Sequence, residues 1–264
     1  MVDGLQRFAE HFKGLEDCYV LIGGTACDLW LGEQGLEFRS TKDLDIVLIV
    51  DRLKPEFFAR FWDFIQKAKY ESHQNRDTRP AFYRFRDPRN AGYPFMIELL
   101  ARNQLEIPAG IHLTPVPASE DLSSLSAILL DEEYYRYLLD ARVFIDGLPT
   151  VPARCLIPMK ARAHLDLAAR KAAGEKVRGD DVKKHRNDVF RLYLALAPSD
   201  RFALPKTLRD DLVRFLNTLQ PDSPDWAAIA AAVGNSRLPP PDQVLRQLRE
   251  IFQLDGAAAG IKTP

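Results

Sequence analysis

Cysteine is scarce in this 264-residue chain: Cys18, Cys27 and Cys155 stand singly, with no CxxC pair or His/Cys cluster beside them. A disulfide framework and a zinc site are thereby both disfavoured, because each needs thiols in pairs or in ligand-spaced groups. Long apolar runs are missing too. The strongest, Ile46 to Val50, has five residues, against about twenty needed to cross a bilayer. The first ten residues carry acids and lack the basic, apolar, small-residue order of a secretion signal. No membrane partner is expected, and a reducing, cytoplasmic setting is. Charge of one sign is also absent, since 36 Lys and Arg face 37 Asp and Glu for a net charge of -1. Global charge therefore argues for no nucleic-acid partner, and only a local patch can. Neither GxxxxGK[ST] nor GxGxxG occurs, which removes the usual phosphate-loop classes.

What is present suits a folded chain. Hydrophobic residues make up 46% and charged ones 28%, and the length allows one large domain or two modest ones at about 100–200 residues each. Leu5, Phe8, Phe12 and Leu15 recur at helical spacing, and residues 19–22 form a short apolar run that stops at Gly23-Gly24. Residues 25–31 suit a helix, 32–42 a polar loop and 44–50 a strand. Pro55 opens a helix over 56–69, since proline is favoured in a first helical turn. Strands at 81–86 and 95–100, joined by the turn-rich stretch 87–92, suggest an antiparallel pair. Edge strands at 111–116 and 124–130 and a short helix at 131–139 follow. Beyond Pro152, helical segments at 156–172, 183–197, 208–219, 226–233 and 244–252 alternate with prolines. The expected fold class is α+β: a mixed β-sheet with flanking helices over 1–152, an all-helical domain over 153–255 and a flexible tail over 256–264.

Chemistry concentrates in three places. Asp43 and Asp45 open an apolar strand, and alternate residues of a strand share a face about 6.5 Å apart. Two such carboxylates make a metal clamp, or else a strand cap beside an edge residue in solvent. Upstream, Gly23, Gly24 and Thr25 lie between strand and helix, where bare backbone can approach a phosphate and the helix start favours anions; the same step also serves as a plain tight connection. Glu98 interrupts an apolar strand. Burying it alone costs several kcal/mol on common scales, so it needs a partner, either a metal shared with Asp43 and Asp45 or an arginine such as Arg84 or Arg86.

The order of these parts resembles the nucleotidyltransferase superfamily related to DNA polymerase beta, and within it the AbiEii/AbiGii-type toxin nucleotidyltransferases of type IV toxin–antitoxin pairs. Ile22-Gly-Gly-Thr-Ala26 and Arg39-Ser-Thr-Lys-Asp-Leu-Asp45 are similar to that family's first two motifs, and Ile157-Pro-Met-Lys160 and Lys184-His-Arg-Asn-Asp188 to later ones on helices. The likeness spans about residues 18–196. Gly24 and Asp43 stand nineteen positions apart, so a full helix and loop intervene. The resemblance implies catalytic, metal-holding roles for Asp43, Asp45 and Glu98 with two Mg²⁺ ions. It implies nucleotide-binding roles for Gly23, Gly24, Thr25, Arg39, Thr41, Lys160, Lys184 and Asp188. It further implies a nucleoside triphosphate substrate, a tRNA or other RNA acceptor and a cognate antitoxin protein.

Residues 152–191 hold 11 Lys and Arg against 5 Asp and Glu. That local surplus suits triphosphate or an RNA backbone, or simply a solvated helix pair. Lys160 sits among Leu156, Ile157, Met159 and Ala163, where its ammonium needs an anion or must snorkel to water. The arginines and aromatics of residues 76–89 read as alternating core and wet faces. Transfer to a protein or small molecule, or a fold that only binds nucleotide or a partner, are the alternatives to RNA nucleotidylation.

Overall fold

The computed structural model describes residues 2–70, 82–101, 128, 131–234 and 238–255. The chain divides into two units, Met1–Leu156 and Ile157–Pro264.

The first unit is built on short apolar segments that become strands: β1 (Tyr19–Ile22), β2 (Asp43–Leu48), β3 (Phe82–Arg86) and β4 (Met96–Leu100). They lie in the order β1-β2-β4-β3, with β2 and β4 parallel and the two outer pairings antiparallel. The sheet is therefore mixed, and the chain as a whole is α+β.

Leu21, Leu44, Ile46, Leu48, Tyr83, Phe85, Ile97 and Leu99 present one face of the sheet to a core shared with helices α1 (Leu5–His11) and α3 (Pro55–Ala68). Phe57, Phe61, Phe64 and Ile65 recur on α3 at three- and four-residue spacing and are all buried. Phe12 stacks on Phe8 at 4.3 Å and meets Phe57 at 5.5 Å. Each such ring contributes on the order of 2–3 kcal/mol of burial, so the aromatic seam fixes the sheet's position and leaves its other face for chemistry.

Local differences from the sequence reading have physical causes. Helix α1 stops at His11, and the chain then turns at Gly14, which carries φ +87. Leu15 is nonetheless buried. Helix α2 (Gly23–Glu33) takes in both glycines, and β2 begins at Asp43 and ends at Leu48. A hairpin of β5 (Val143–Ile145) and β6 (Leu148–Thr150) follows α4 (Glu132–Asp140). Thr150 Oγ1 donates to the Leu21 carbonyl at 3.3 Å and ties the hairpin to β1. The expected strand at 111–116 and the tail at 256–264 lie outside the described residues, as does the strand at 124–130 except for Ile128, which is helical and buried. Residues 76–81 of the arginine-rich stretch also lie outside them. All three cysteines are buried and none of them forms a disulfide. Among the described residues no helix is long and apolar enough to cross a membrane.

Helix α5 (Ala153–Ala172), within which the division falls, leads to α6 (Gly179–Tyr193), α7 (Lys206–Asn217), α8 (Asp225–Val233) and α9 (Pro241–Ile251). Phe190 packs edge-on against Trp226 at 5.0 Å and lies 6.2 Å from Phe215. His164 is held in this second unit by Val182, 3.0 Å from its Nδ1 to the carbonyl oxygen. Desolvation lowers its pKa below the ordinary histidine value; the Val182 carbonyl opposes that, Arg186 adds to it and Asp225 opposes it.

The folded state thus prefers neutral His164 while the unfolded state binds the proton more readily. The corresponding stability is complete above about pH 6.5 and falls as pH drops towards the lowered folded value. Thermal melts at pH 7.5 and 5.5 should show a larger loss for the wild type than for His164→Gln. Equal losses would contradict a half-buried neutral ring.

Candidate active site

What packs on the Gly23-Gly24 step explains why neither position carries a side chain. Gly23 has φ +67, and a Cβ there would overlap Asp45 Oδ2 and lie 2.7 Å from Asp45 Cγ. At Gly24 an added Cβ would overlap Thr41 Oγ1, 3.0 Å from Thr41 Cβ. The Asp45 carboxylate and the Thr41 hydroxyl therefore rest directly on the first turn of α2. Thr25 is fully buried and its Oγ1 donates to the Asp43 carbonyl at 2.9 Å, which fastens the turn to β2. The N-terminus of a helix carries partial positive charge, so an acid against this turn is favourably placed.

Gly23→Ala tests this packing. Left-handed backbone costs an L residue about 1–2 kcal/mol, and forced overpacking typically about 1–3 kcal/mol more. The variant should melt several degrees lower and lose activity. A wild-type melting temperature would show that Asp45 does not occupy that space.

Register carries the acids to the turn. Ile22, Asp45, Glu98 and Arg84 are paired in one row across the four strands. Asp43 lies two residues before Asp45, so both face away from Leu44 and Ile46 and the aromatic core. Asp45 is 8% exposed, Glu98 5% and Asp43 half-buried. Arg84 meets Glu98 through Nε and Nη2, each 2.6 Å from Oε1, while Arg86 lies 3.7 Å from Asp87. Of the two arginines open to Glu98 from sequence, Arg84 is the one that pairs with it.

Among the described residues no group of three or more His, Cys, Asp or Glu side chains is arranged to hold a metal ion. The expected trio is accordingly not assembled as a carboxylate cage. Asp43 and Asp45, hard oxygen donors on one face beside bare backbone, fit a divalent cation by their chemistry. Glu98 is engaged by Arg84 instead.

The remaining candidates are not members of this row of paired strand residues. Arg39 is half-buried, its guanidinium 4.8 Å over the ring of the neighbouring Phe38. Lys160, Lys184 and Asp188 belong to the second unit. Lys160 is 1% exposed, and its Nζ lies 3.2 Å from Asp188 Oδ2. Arg191 Nη1 approaches Asp188 Oδ1 at 2.9 Å. Lys160 therefore neither snorkels to water nor presents its ammonium to an outside anion; a carboxylate of its own unit neutralises it. Lys184 is half-buried on α6 beside His185 and Arg186.

The basic surplus shrinks in the same way. Arg162 pairs with Asp211 at 2.9 Å and Arg186 with Asp225 at 2.7 Å, acids that lie outside residues 152–191. Lys171, Lys176, Arg178 and Lys183 stay exposed around the α5–α6 connection.

No family model matches the chain, and the comparison with curated proteins finds no match. Among solved structures the chain is similar to an antigenic nucleotidyltransferase-like protein from Paracoccidioides brasiliensis. The two are 16% identical, with 86% of this chain and 90% of that one covered and a TM-score of 0.39.

Proposed function

We propose that this chain is a metal-dependent nucleotidyltransferase, moving a nucleoside monophosphate from a nucleoside triphosphate to an acceptor hydroxyl. One observation carries the reading: the carboxylate pair at the head of β2 and the side-chain-free start of α2 occupy the same patch, with Asp45 resting on Gly23. Such a patch sets hard oxygen ligands against the bare backbone of a helix start, the two elements that a cation-bound polyphosphate requires.

In this reading Asp43 and Asp45 hold Mg²⁺, two ions by the resemblance. Held by these carboxylates, Mg²⁺ would supply charge to offset the phosphates and to lower the pKa of the attacking hydroxyl. Gly23, Gly24 and Thr25 take the β- and γ-phosphates on backbone donors, with Thr41 beside them and Arg39 on the same loop. The acceptor oxygen bonds to the α-phosphorus and gives up its proton to water as the bridging bond to the β-phosphate breaks and pyrophosphate leaves. Glu98, fixed by Arg84, neighbours Asp45 in register. Lys160 and Asp188 are assigned to their internal ion pair rather than to nucleotide.

For the acceptor we propose RNA, with tRNA first, and for the biological role a toxin opposed by a cognate antitoxin. The family resemblance supports this, as do the exposed bases around the α5–α6 connection, including Lys183, with Lys184 next to it. Incubation with α-labelled nucleoside triphosphates, Mg²⁺ and total tRNA tests the proposal. Labelled RNA is expected. Label in protein would move the acceptor to another class, and no label anywhere would overturn transfer itself.

A further inference from the structure

The loop joining β3 to β4 is anchored well beyond what a strand connection needs. Asn90 donates its backbone N–H to the Ala68 carbonyl at 3.2 Å and its side-chain Nδ2 to the Lys67 carbonyl at 2.6 Å, so the loop caps the end of α3. Arg7 Nη1 donates to the Ala91 carbonyl at 3.2 Å, and its guanidinium lies 4.5 Å over the Tyr93 ring. Tyr93 in turn meets Phe64 of the core edge-on at 4.9 Å. The Asp87 N–H closes the loop on the Phe95 carbonyl at 3.0 Å.

This rigid loop walls a cavity of ≈ 480 Å³ whose opposite side is formed by Ser40, Thr41 and Lys42. That volume lies within the range of about 300–1,000 Å³ common for small-molecule sites. Phe95 lines it and is 48% exposed; among the described residues Phe144 is the only other large apolar side chain left so open. Lys42 Nζ lies 5.9 Å from the Phe95 ring centroid. Thr41 belongs to two places at once, lining the cavity and resting on Gly24. The cavity therefore adjoins the glycine turn through Thr41, and it combines an exposed ring with hydroxyl donors, a cation and the carboxylates of Asp3 and Asp87.

We propose that this cavity seats the nucleoside half of the triphosphate substrate. The base stacks on Phe95, Ser40 and Thr41 offer hydroxyls to the sugar, and Lys42 faces the negative charge that leads to the phosphates. The assignment rests on the transfer reading and gives it the nucleoside subsite that the carboxylates and glycines do not supply.

Binding of non-hydrolysable nucleoside triphosphates with Mg²⁺, measured by titration calorimetry, tests it on the full chain. Base–aromatic stacking corresponds to an affinity change of about five- to 150-fold. Phe95→Ala should therefore weaken the best-bound nucleotide about tenfold or more, Phe95→Tyr should restore it, and Phe144→Ala should leave it unchanged. Because Phe95 is half-exposed, its truncation should leave the circular dichroism spectrum intact. If the wild type transfers nucleotide while Phe95→Ala binds it within twofold of the wild type, the cavity assignment fails alone. That assignment also fails if Phe95→Ala keeps nucleotide affinity but loses transfer to tRNA, since the cavity would then belong to the acceptor. Nucleotide affinity lost with Phe95→Ala in a protein that transfers nothing would keep the cavity and overturn the enzyme. No nucleotide binding by the wild type would overturn both.

Discussion

Asp43→Asn and Asp45→Asn should each lower nucleotide transfer by at least about 100-fold, the scale on which altered metal coordination acts. Asparagine keeps the shape of either side chain and removes the charge that a cation needs. Asp45→Asn leaves the Glu98–Arg84 pair in place and weakens the attraction to the α2 N-terminus, worth about 0.3–1 kcal/mol. Melting temperature and activity should therefore separate: near-native melting, almost no transfer. Full activity in either variant would remove that carboxylate from the chemistry. Unfolding of Asp45→Asn would show instead that the acid serves the fold.

Asp188→Asn should act in the opposite sense, on stability first. Asp188 is fully buried between Lys160 and Arg191, and removing its charge takes that carboxylate away from both cations. Breaking a buried pair from one side costs about 3–5 kcal/mol, a large share of the roughly 5–15 kcal/mol by which domains are stable. Lys160→Met should cost less, because Asp188 keeps Arg191 and the new side chain is apolar in an apolar setting. Denaturant titration of the two single variants and the double variant gives the coupling. Equal stability of Asp188→Asn and the wild type would contradict a structural role. So would a fully folded Asp188→Asn chain whose nucleotide affinity had collapsed.

The first unit was largely legible because its signals are local. Alternation placed Asp43 and Asp45 on one face, the apolar run before Gly23 marked β1, and aromatic spacing after Pro55 marked α3. The β5–β6 hairpin escaped although Asp146-Gly147, at φ +50 and +76, is the turn chemistry that hairpins favour. Its strands of three residues each are too short to show a period. Glu98 was undecidable from sequence between a metal and an arginine, and only the register of β4 against β3 sets Arg84 on it. Lys160 was read towards a ligand because its real counter-ion lies on the next helix. The basic surplus was overstated for the same reason, since Asp211 and Asp225 are distant in sequence. The cavity beside Phe95 depends on Arg7, Asn90 and the end of α3 meeting one loop, which no spacing rule reveals.

Electron paramagnetic resonance of Mn²⁺ with a non-hydrolysable nucleoside triphosphate tests most directly whether the carboxylates of β2 hold a cation beside the glycine turn. The wild-type chain should bind the Mn²⁺–nucleotide complex and alter its spectrum, and Asp43→Asn/Asp45→Asn should not. An unaltered spectrum with the wild type, or the same altered spectrum with the double variant, would contradict the assignment.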